Sequence, residues 1–205
     1  SYTTCWPDDS VIAYGTKLTY SWEGMMRQLW QMWSGGLTDE FVEHVVSEGT
    51  RLHPKSATTF NDADTSVRSS KVSWLNSDSQ IREKIWSYVS QANLNAFGVE
   101  VLNKAPFQYT EYHASEGGHY DWHTDVNWNG DTDLDRKLSV TVQLSDPSDY
   151  EGGSFEFNEC ENPGPESRAK GTVLIFPSYL QHRVLPITSG CRKSLVAWYE
   201  GPRWR

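Results

Sequence analysis

From residue 99 onward the chain is a succession of short β-type runs: VEVLN, FQYTEYHA, KLSVTVQLS, GGSFEF, GTVLIFPS and RKSLVAWYE. Clusters of Gly, Pro, Asn and Asp separate them at modest spacing, the pattern of an all-β core that closes as a sandwich or barrel. The preceding text is different. LTDEFVEHVV (37–46) reads as a helix, with Thr38 as its cap, Asp39 and Glu40 in the first turn and Gly49 as its end. A second helix is expected from near Ser77, where Ser77 and Gln80 have capping-box spacing and Ile81, Ile85, Trp86 and Val89 supply a buried face. Residues 11–33 support two assignments. VIAYGTKLTYSW alternates like a strand or hairpin, whereas Trp22, Met25, Met26, Leu29, Trp30 and Trp33 fit a helical stripe. Two helices followed by a block of strands predict an α+β, mainly β chain in which helices brace a sandwich or barrel.

The 205 residues contain no repeat, low-complexity tract or linker, so residues 1–205 are expected to form a single domain with a real hydrophobic core. A net charge of −9 argues against nucleic acid, whose backbone demands a basic stripe, and favours a polypeptide or small-molecule partner. Cys5, Cys160 and Cys191 are an odd count without CxxC spacing, which implies neither a disulfide framework nor a zinc cluster and suits a reducing compartment. With no apolar run of membrane-span length and no signal-peptide core, the expectation is a soluble, cytoplasmic protein without a membrane partner. Ten tryptophans serve either core packing or an aromatic-lined groove.

HYDWHTDVNWNGDTDLDR (119–136) carries the chemistry. Asp125, Asn127, Asn129 and Asp131 fall at positions one, three, five and seven of an EF-hand loop, with Gly130 at position six. Position twelve is Arg136, a cation where that loop needs a bidentate glutamate, and the flanks read as strands. The EF-hand reading is thereby excluded. Asn129-Gly130 is a hairpin signal, and Asp131, Asp133 and Asp135 suit a solvated loop. His123 and Asp125 stand apart: residues i and i+2 of a strand share a face, so they project an imidazole and a carboxylate together. His182, after the apolar strand GTVLIFPS and its turn, is the candidate third ligand, unlike His44 and His53 far upstream or His113 and His119. Two histidines and one carboxylate with open positions suit non-haem Fe(II), and zinc competes for the same set.

HTD at 123–125, then His182, then Arg192 ten residues later, resembles the ordered motif of the Fe(II)- and 2-oxoglutarate-dependent oxygenases, in their prolyl-hydroxylase-type branch. RSSKVSWL (68–75), YHASEGGHYDWHTD (112–125), YEGGSFEF (150–157) and HRVLPITSGCRKSLVAWY (182–199) are similar to segments of that family. The likeness spans residues 37–202 and leaves 1–36 as an N-terminal extension without a functional account. It implies a double-stranded β-helix (jelly roll) braced by N-terminal helices. His123, Asp125 and His182 would hold Fe(II), and Arg192 would pair with the distal carboxylate of 2-oxoglutarate through its bidentate, permanently charged guanidinium. Ser194, on the same strand face, would donate a second hydrogen bond. Tyr112 matches a family tyrosine beside the co-substrate. Gln143 stands where several prolyl hydroxylases have a tyrosine that touches the same carboxylate. Trp198, Arg68 and Trp74 match positions near the substrate entrance, with plain packing as the alternative for all three.

The implied reaction consumes O2 and 2-oxoglutarate, with ascorbate as an accessory reductant, yields succinate and CO2, and hydroxylates a prolyl residue in a polypeptide. The same chemistry on another substrate is the alternative. A zinc hydrolase would need a general base beside the metal and gives no reason for Arg192. A non-catalytic jelly-roll binding module accounts for the tryptophans but not for the ligand set.

Overall fold

The computed structural model describes residues 12–16, 28–57, 66–75 and 78–205. Its elements run β1 (Ile12–Thr16), β2 (Gln28–Trp33), α1 (Asp39–Arg51), β3 (Lys55–Ser56), β4 (Arg68–Ser69), β5 (Lys71–Trp74) and α2 (Ser79–Ala92). There follow β6 (Phe107–His113), β7 (His119–His123), β8 (Leu134–Gln143), β9 (Tyr150–Gly152), β10 (Phe155–Phe157), β11 (Val173–Pro177), β12 (His182–Val184) and β13 (Ile187–Pro202). The large sheet has the order β1-β2-β11-β8-β13-β6-β5-β3, with β9 on β13, and the small sheet is β10-β12-β7-β4. Every pairing is antiparallel. The architecture is the expected jelly roll, mainly β, braced by two helices.

Strand alternation divides the large sheet into two chemically different faces. Leu138 and Val142 of β8, Leu195, Ala197 and Tyr199 of β13, and Phe107 and Tyr109 of β6 pack with Phe41, Val42 and Val45 of α1 and Ile81, Ile85, Tyr88 and Val89 of α2. Each fully buried aliphatic or aromatic side chain here contributes about 1.5–3 kcal/mol. The opposite face, toward the small sheet, is polar: Gln108 and Thr110, Ser139, Arg192 and Ser194 are all buried. Buried polar groups need partners, so this face is where function resides.

Several local expectations are corrected. Of the two assignments for residues 11–33, the structure has the strand one where it is described: β1 pairs antiparallel with β2, and Leu29, Trp30, Met32 and Trp33 enter the core from a strand rather than from a helical stripe. Trp22, Met25 and Met26 lie outside the described residues. Gly49 does not end α1. The helix runs on to Arg51 because the Tyr109 ring packs directly on Gly49, where a Cβ would collide with it. VEVLN is not a strand: Asn93 brackets Val99 by donating to its carbonyl and accepting from its N–H, 2.9 Å each, and Leu102 N donates to Glu200 O at 2.8 Å. Asn129-Gly130 does not close a β7–β8 hairpin, because β7 belongs to the small sheet and β8 to the large one. The turn instead joins the two layers, with Asn129 N donating to Asn127 Oδ1.

The α2 cap is Asp78, next to Ser77, which lies outside the described residues. Asp78 Oδ1 accepts from Ile81 N at 2.9 Å, and Oδ2 meets His44 Nε2 at 2.7 Å, tying α2 to α1. Asp78→Ala is therefore expected to cost about 1–2 kcal/mol, measured by denaturant unfolding. A His44→Ala loss well below that of Asp78→Ala would assign most of the effect to the cap.

Candidate metal centre

His123 ends β7, His182 begins β12, and the two are register partners across the small sheet. Asp125 lies two residues past β7, and its N–H donates to Ser178 O at 3.0 Å, in the turn that leads to β12. The chain thus brings all three side chains to one point, with a donor atom from each within 4.8 Å of the others. Asp125 and His182 are each 5% exposed.

The protonation of the rings follows from their outer hydrogen bonds. His123 Nδ1 contacts Asp121 O at 2.7 Å and His182 Nδ1 contacts Leu180 O at 2.9 Å. A carbonyl only accepts, so each Nδ1 carries hydrogen and each Nε2 turns inward. His123 Nε2 stands 3.7 Å from Asp125 Oδ1 and His182 Nε2 3.5 Å from Asp125 Oδ2, beyond good hydrogen-bond length. Two imidazole nitrogens and a carboxylate converge without satisfying one another, which is the arrangement a divalent cation stabilises. The set fits Fe(II), and its neutral nitrogens and hard carboxylate are the ligands such an ion takes.

The surroundings fix this geometry. Tyr120 stacks on His123, centroids 3.5 Å apart and planes 8° from parallel. Phe155, Phe157 and Phe176 enclose His182. Ser139 Oγ donates to Asp125 Oδ2 at 2.6 Å and meets Ser178 Oγ at 2.9 Å. Ser139→Ala should free that carboxylate to rotate and lower affinity for the metal by roughly 10–100-fold, measured by competition with a chelator. An unchanged affinity would show that the backbone alone orients Asp125.

Burial, then the neighbouring His182 charge, push the His123 imidazole down to about 3, against the pull of Asp125. Burial opposes ionisation of Asp125, but His182, His123, the Ser139 hydrogen bond and Arg136 outweigh it and hold the carboxyl below its ordinary range. Between the usual imidazole value of 6.5 and about 3, the unfolded chain binds a proton at His123 that the folded chain refuses. Metal-free protein should therefore lose stability as pH falls through that window. The Asp125 contribution is lost only lower, below the ordinary 3.8. Thermal melts in chelator between these limits test this, and His123→Gln should flatten the profile.

Arg68, Tyr112, Tyr120, Arg192, Ser194 and Trp198 line the cavity above the triad. Arg192 is 5% exposed, and among the described residues no carboxylate forms an ion pair with it. Its guanidinium lies 5.6 Å from the Tyr112 ring centroid. Gly153, in the left-handed region at φ 65°, leaves room for its stem: a Cβ there would stand 3.2 Å from Arg192 Cδ. A buried cation without a counter-charge is costly, so the cavity is built to receive an anion.

Other sequence-predicted residues sit differently. Gln143 does not line the cavity, because its Nε2 donates to Tyr150 Oη at 2.8 Å and Ser145 O at 3.4 Å. Arg68 Nη2 donates to Gln108 Oε1 and its Nε to Ser70 Oγ, both at 2.8 Å, with the guanidinium over Tyr120. Trp74 is 46% exposed, its ring 6.3 Å from that of Trp198, which Arg136 caps at 4.1 Å. These three side chains form a cationic, aromatic rim. Sequence reasoning missed Tyr120 because β7 carries one extra residue against β12: Tyr120 pairs Val184 and His123 pairs His182. That bulge brings residues three apart together and breaks the alternation.

Residues 107–200 match the family model described as the 2OG-Fe(II) oxygenase superfamily. A PKHD-type hydroxylase of Synechococcus sp. (strain CC9311) is 33% identical over 128 residues, covering 62% of this chain and 57% of that protein. Another, from Hyphomonas neptunium, is 37% identical over 89 residues, 42% of this chain and 40% of its own. The chain thus spans 57% and 40% of the lengths of these curated relatives. The fold is similar to that of a Pseudomonas putida prolyl-4-hydroxylase, with a TM-score of 0.65 and 19% identity over 85% of this chain and 92% of that one. It is also similar to a Trichoplax adhaerens prolyl hydroxylase in complex with a hypoxia inducible factor peptide fragment, with a TM-score of 0.57 and 19% identity over 78% and 74% of the two chains.

Proposed function

We propose, from the premise that this chain is a 2OG-Fe(II) oxygenase of prolyl-hydroxylase type, that it hydroxylates a prolyl residue of a protein or peptide. His123, Asp125 and His182 hold Fe(II) in this proposal. When bound, the iron supplies positions for 2-oxoglutarate and O2 and the oxidising power that couples succinate and CO2 release to hydroxylation. The chain's own residues bind, orient and exclude water. Arg192 receives the distal carboxylate as a bidentate partner, and Ser194, two residues on and facing the same cavity, adds a hydroxyl donor. Tyr112 closes the side of the co-substrate pocket, while Phe155, Phe176 and Val184 keep it dry. At the rim, the Trp198 face offers a surface for a proline ring, and Trp74, Arg136 and Arg68 border the path of the polypeptide.

One observation carries this function: three mutually unsatisfied metal donors share a cavity with a buried guanidinium that no carboxylate among the described residues pairs. A hydrolytic metal centre explains the donors and leaves Arg192 without a purpose. The substrate class is supported by the similarity to prolyl hydroxylases and by the Trp198 ring among the residues that line the cavity. Incubation with Fe(II), 2-oxoglutarate, ascorbate and a library of proline-containing peptides should yield succinate and a peptide heavier by one oxygen atom. If 2-oxoglutarate is consumed while only free amino acids or nucleobases are oxidised, the prolyl assignment fails and the chemistry stands.

A further inference from the structure

Behind the cavity, on the helix-facing side of the large sheet, a second group of metal-ligating side chains converges. Glu111 and His113 stand two residues apart on β6, and Cys191 of β13 is the register partner of His113. Here an i, i+2 pair on one strand meets a third candidate ligand from the strand beside it. One donor atom from each residue lies within 4.8 Å of the others. His113 Nε2 is 2.8 Å from Glu111 Oε2 and 3.8 Å from Cys191 Sγ. The remaining Glu111 oxygen accepts from Tyr109 Oη at 2.8 Å, which fixes the carboxylate as outer-shell partners do. Lys71, paired across β5 with Glu111, is drawn to Glu116 at 2.6 Å. Lys193, the register partner of Glu111 on β13, lines with Cys191 a cavity of about 450 Å³ beside α1, which gives the group a route to solvent.

We propose that Glu111, His113 and Cys191 form a second metal site, for a borderline-soft divalent ion such as Zn2+. The choice of ion follows from the donors. A thiolate, an imidazole and a carboxylate on a rigid sheet supply three corners of a tetrahedron, and water completes the fourth. Fe(II) is better matched by the thiolate-free triad on the other face. On binding, the Cys191 thiol proton leaves to solvent, and the His113 ring hydrogen moves from Nε2 to Nδ1 by exchange with solvent, so that the neutral imidazole turns its Nε2 lone pair to the metal. Without an ion the thiol is inert, because burial and then the Glu111 carboxylate push it up to about 11. A bound ion would clasp β6 to β13 beside Tyr112 and Arg192, whose side chains project from the opposite face.

Zn2+ titration of the full chain against a chromophoric chelator tests this, with Co2+ as the spectroscopic probe. Wild type should bind two equivalents, and His182→Ala and Cys191→Ser one each. A thiolate-to-Co2+ charge-transfer band should appear in wild type and in His182→Ala and vanish in Cys191→Ser, although Cys5 and Cys160 remain. Glu111→Gln, which keeps the shape of the side chain, should weaken Co2+ at this site by roughly 10–100-fold and leave the other equivalent unchanged. A single equivalent in wild type, or a charge-transfer band that survives in Cys191→Ser, overturns the site.

Discussion

His182→Ala is expected to abolish 2-oxoglutarate turnover and to strip Fe(II) from the protein. Changes in outer-shell partners alone cost about 10–100-fold, and His182 is the only ligand contributed by β12. Its removal leaves His123 and Asp125, a pair on one segment, as a bidentate chelator without a third anchor. The fold should survive, at a cost of about 1–3 kcal/mol for packing lost among Phe155, Phe157 and Phe176. Iron retained after gel filtration, succinate release and a thermal melt separate these effects. Asp125→Asn sharpens the test. The amide can still accept from Ser139 while offering an N–H to the inward lone pair of His123. Asp125→Asn should therefore lose iron, while the metal-free variant gives up only the stability that the depressed Asp125 carboxyl contributes. A large loss of stability in chelator would mean that the three side chains already satisfy one another without an ion.

The two histidines of the candidate triad were legible in the sequence because each sits at the end of strongly marked strand text, whereas Asp125 lies two residues past β7 and is tied down by its N–H bond to Ser178 O rather than by strand alternation. His123 and His182 flank runs whose alternation fixes a face, and a pairing of strand ends is all that remains to be supplied. Arg192 was legible for the same reason: on β13, Leu195, Ala197 and Tyr199 turn to the helices, so Arg192 and Ser194 must turn to the cavity. Long-range pairing was not legible. Asn129-Gly130 favours a turn whatever follows it, and nothing local says that β8 leaves β7 to pair with β11 and β13. The bulge that sets Tyr120 against His123 is likewise a property of two strands together. Gly49 shows the same limit, since its place inside α1 is dictated by Tyr109, distant in sequence. The Glu111, His113 and Cys191 group needed the β6–β13 register before it became visible. Gln143 was placed correctly on the strand, but its amide is held by Tyr150, a partner no spacing could indicate.

Arg192→Ala is the second large effect, and its signature differs from that of the ligand variants. Iron binding should persist, whereas affinity for 2-oxoglutarate should fall by about 2–5 kcal/mol, the usual cost of deleting one member of a buried, hydrogen-bonded charge pair. The loss belongs mostly in KM for 2-oxoglutarate, because the distal carboxylate is remote from the reacting end and is bound alike throughout the reaction. Arg192→Lys should recover only part of it, since an ammonium keeps the charge without the planar two-point fork. Stability should move the other way. In the absence of co-substrate Arg192 is a buried cation without an ion-pair partner among the described residues, so removing it relieves a desolvation cost. Arg192→Ala should then melt at or above wild type alone, and the rise in Tm that 2-oxoglutarate gives wild type should disappear. A variant that melts lower yet keeps the wild-type KM would make Arg192 a structural residue and leave the cavity without its anion.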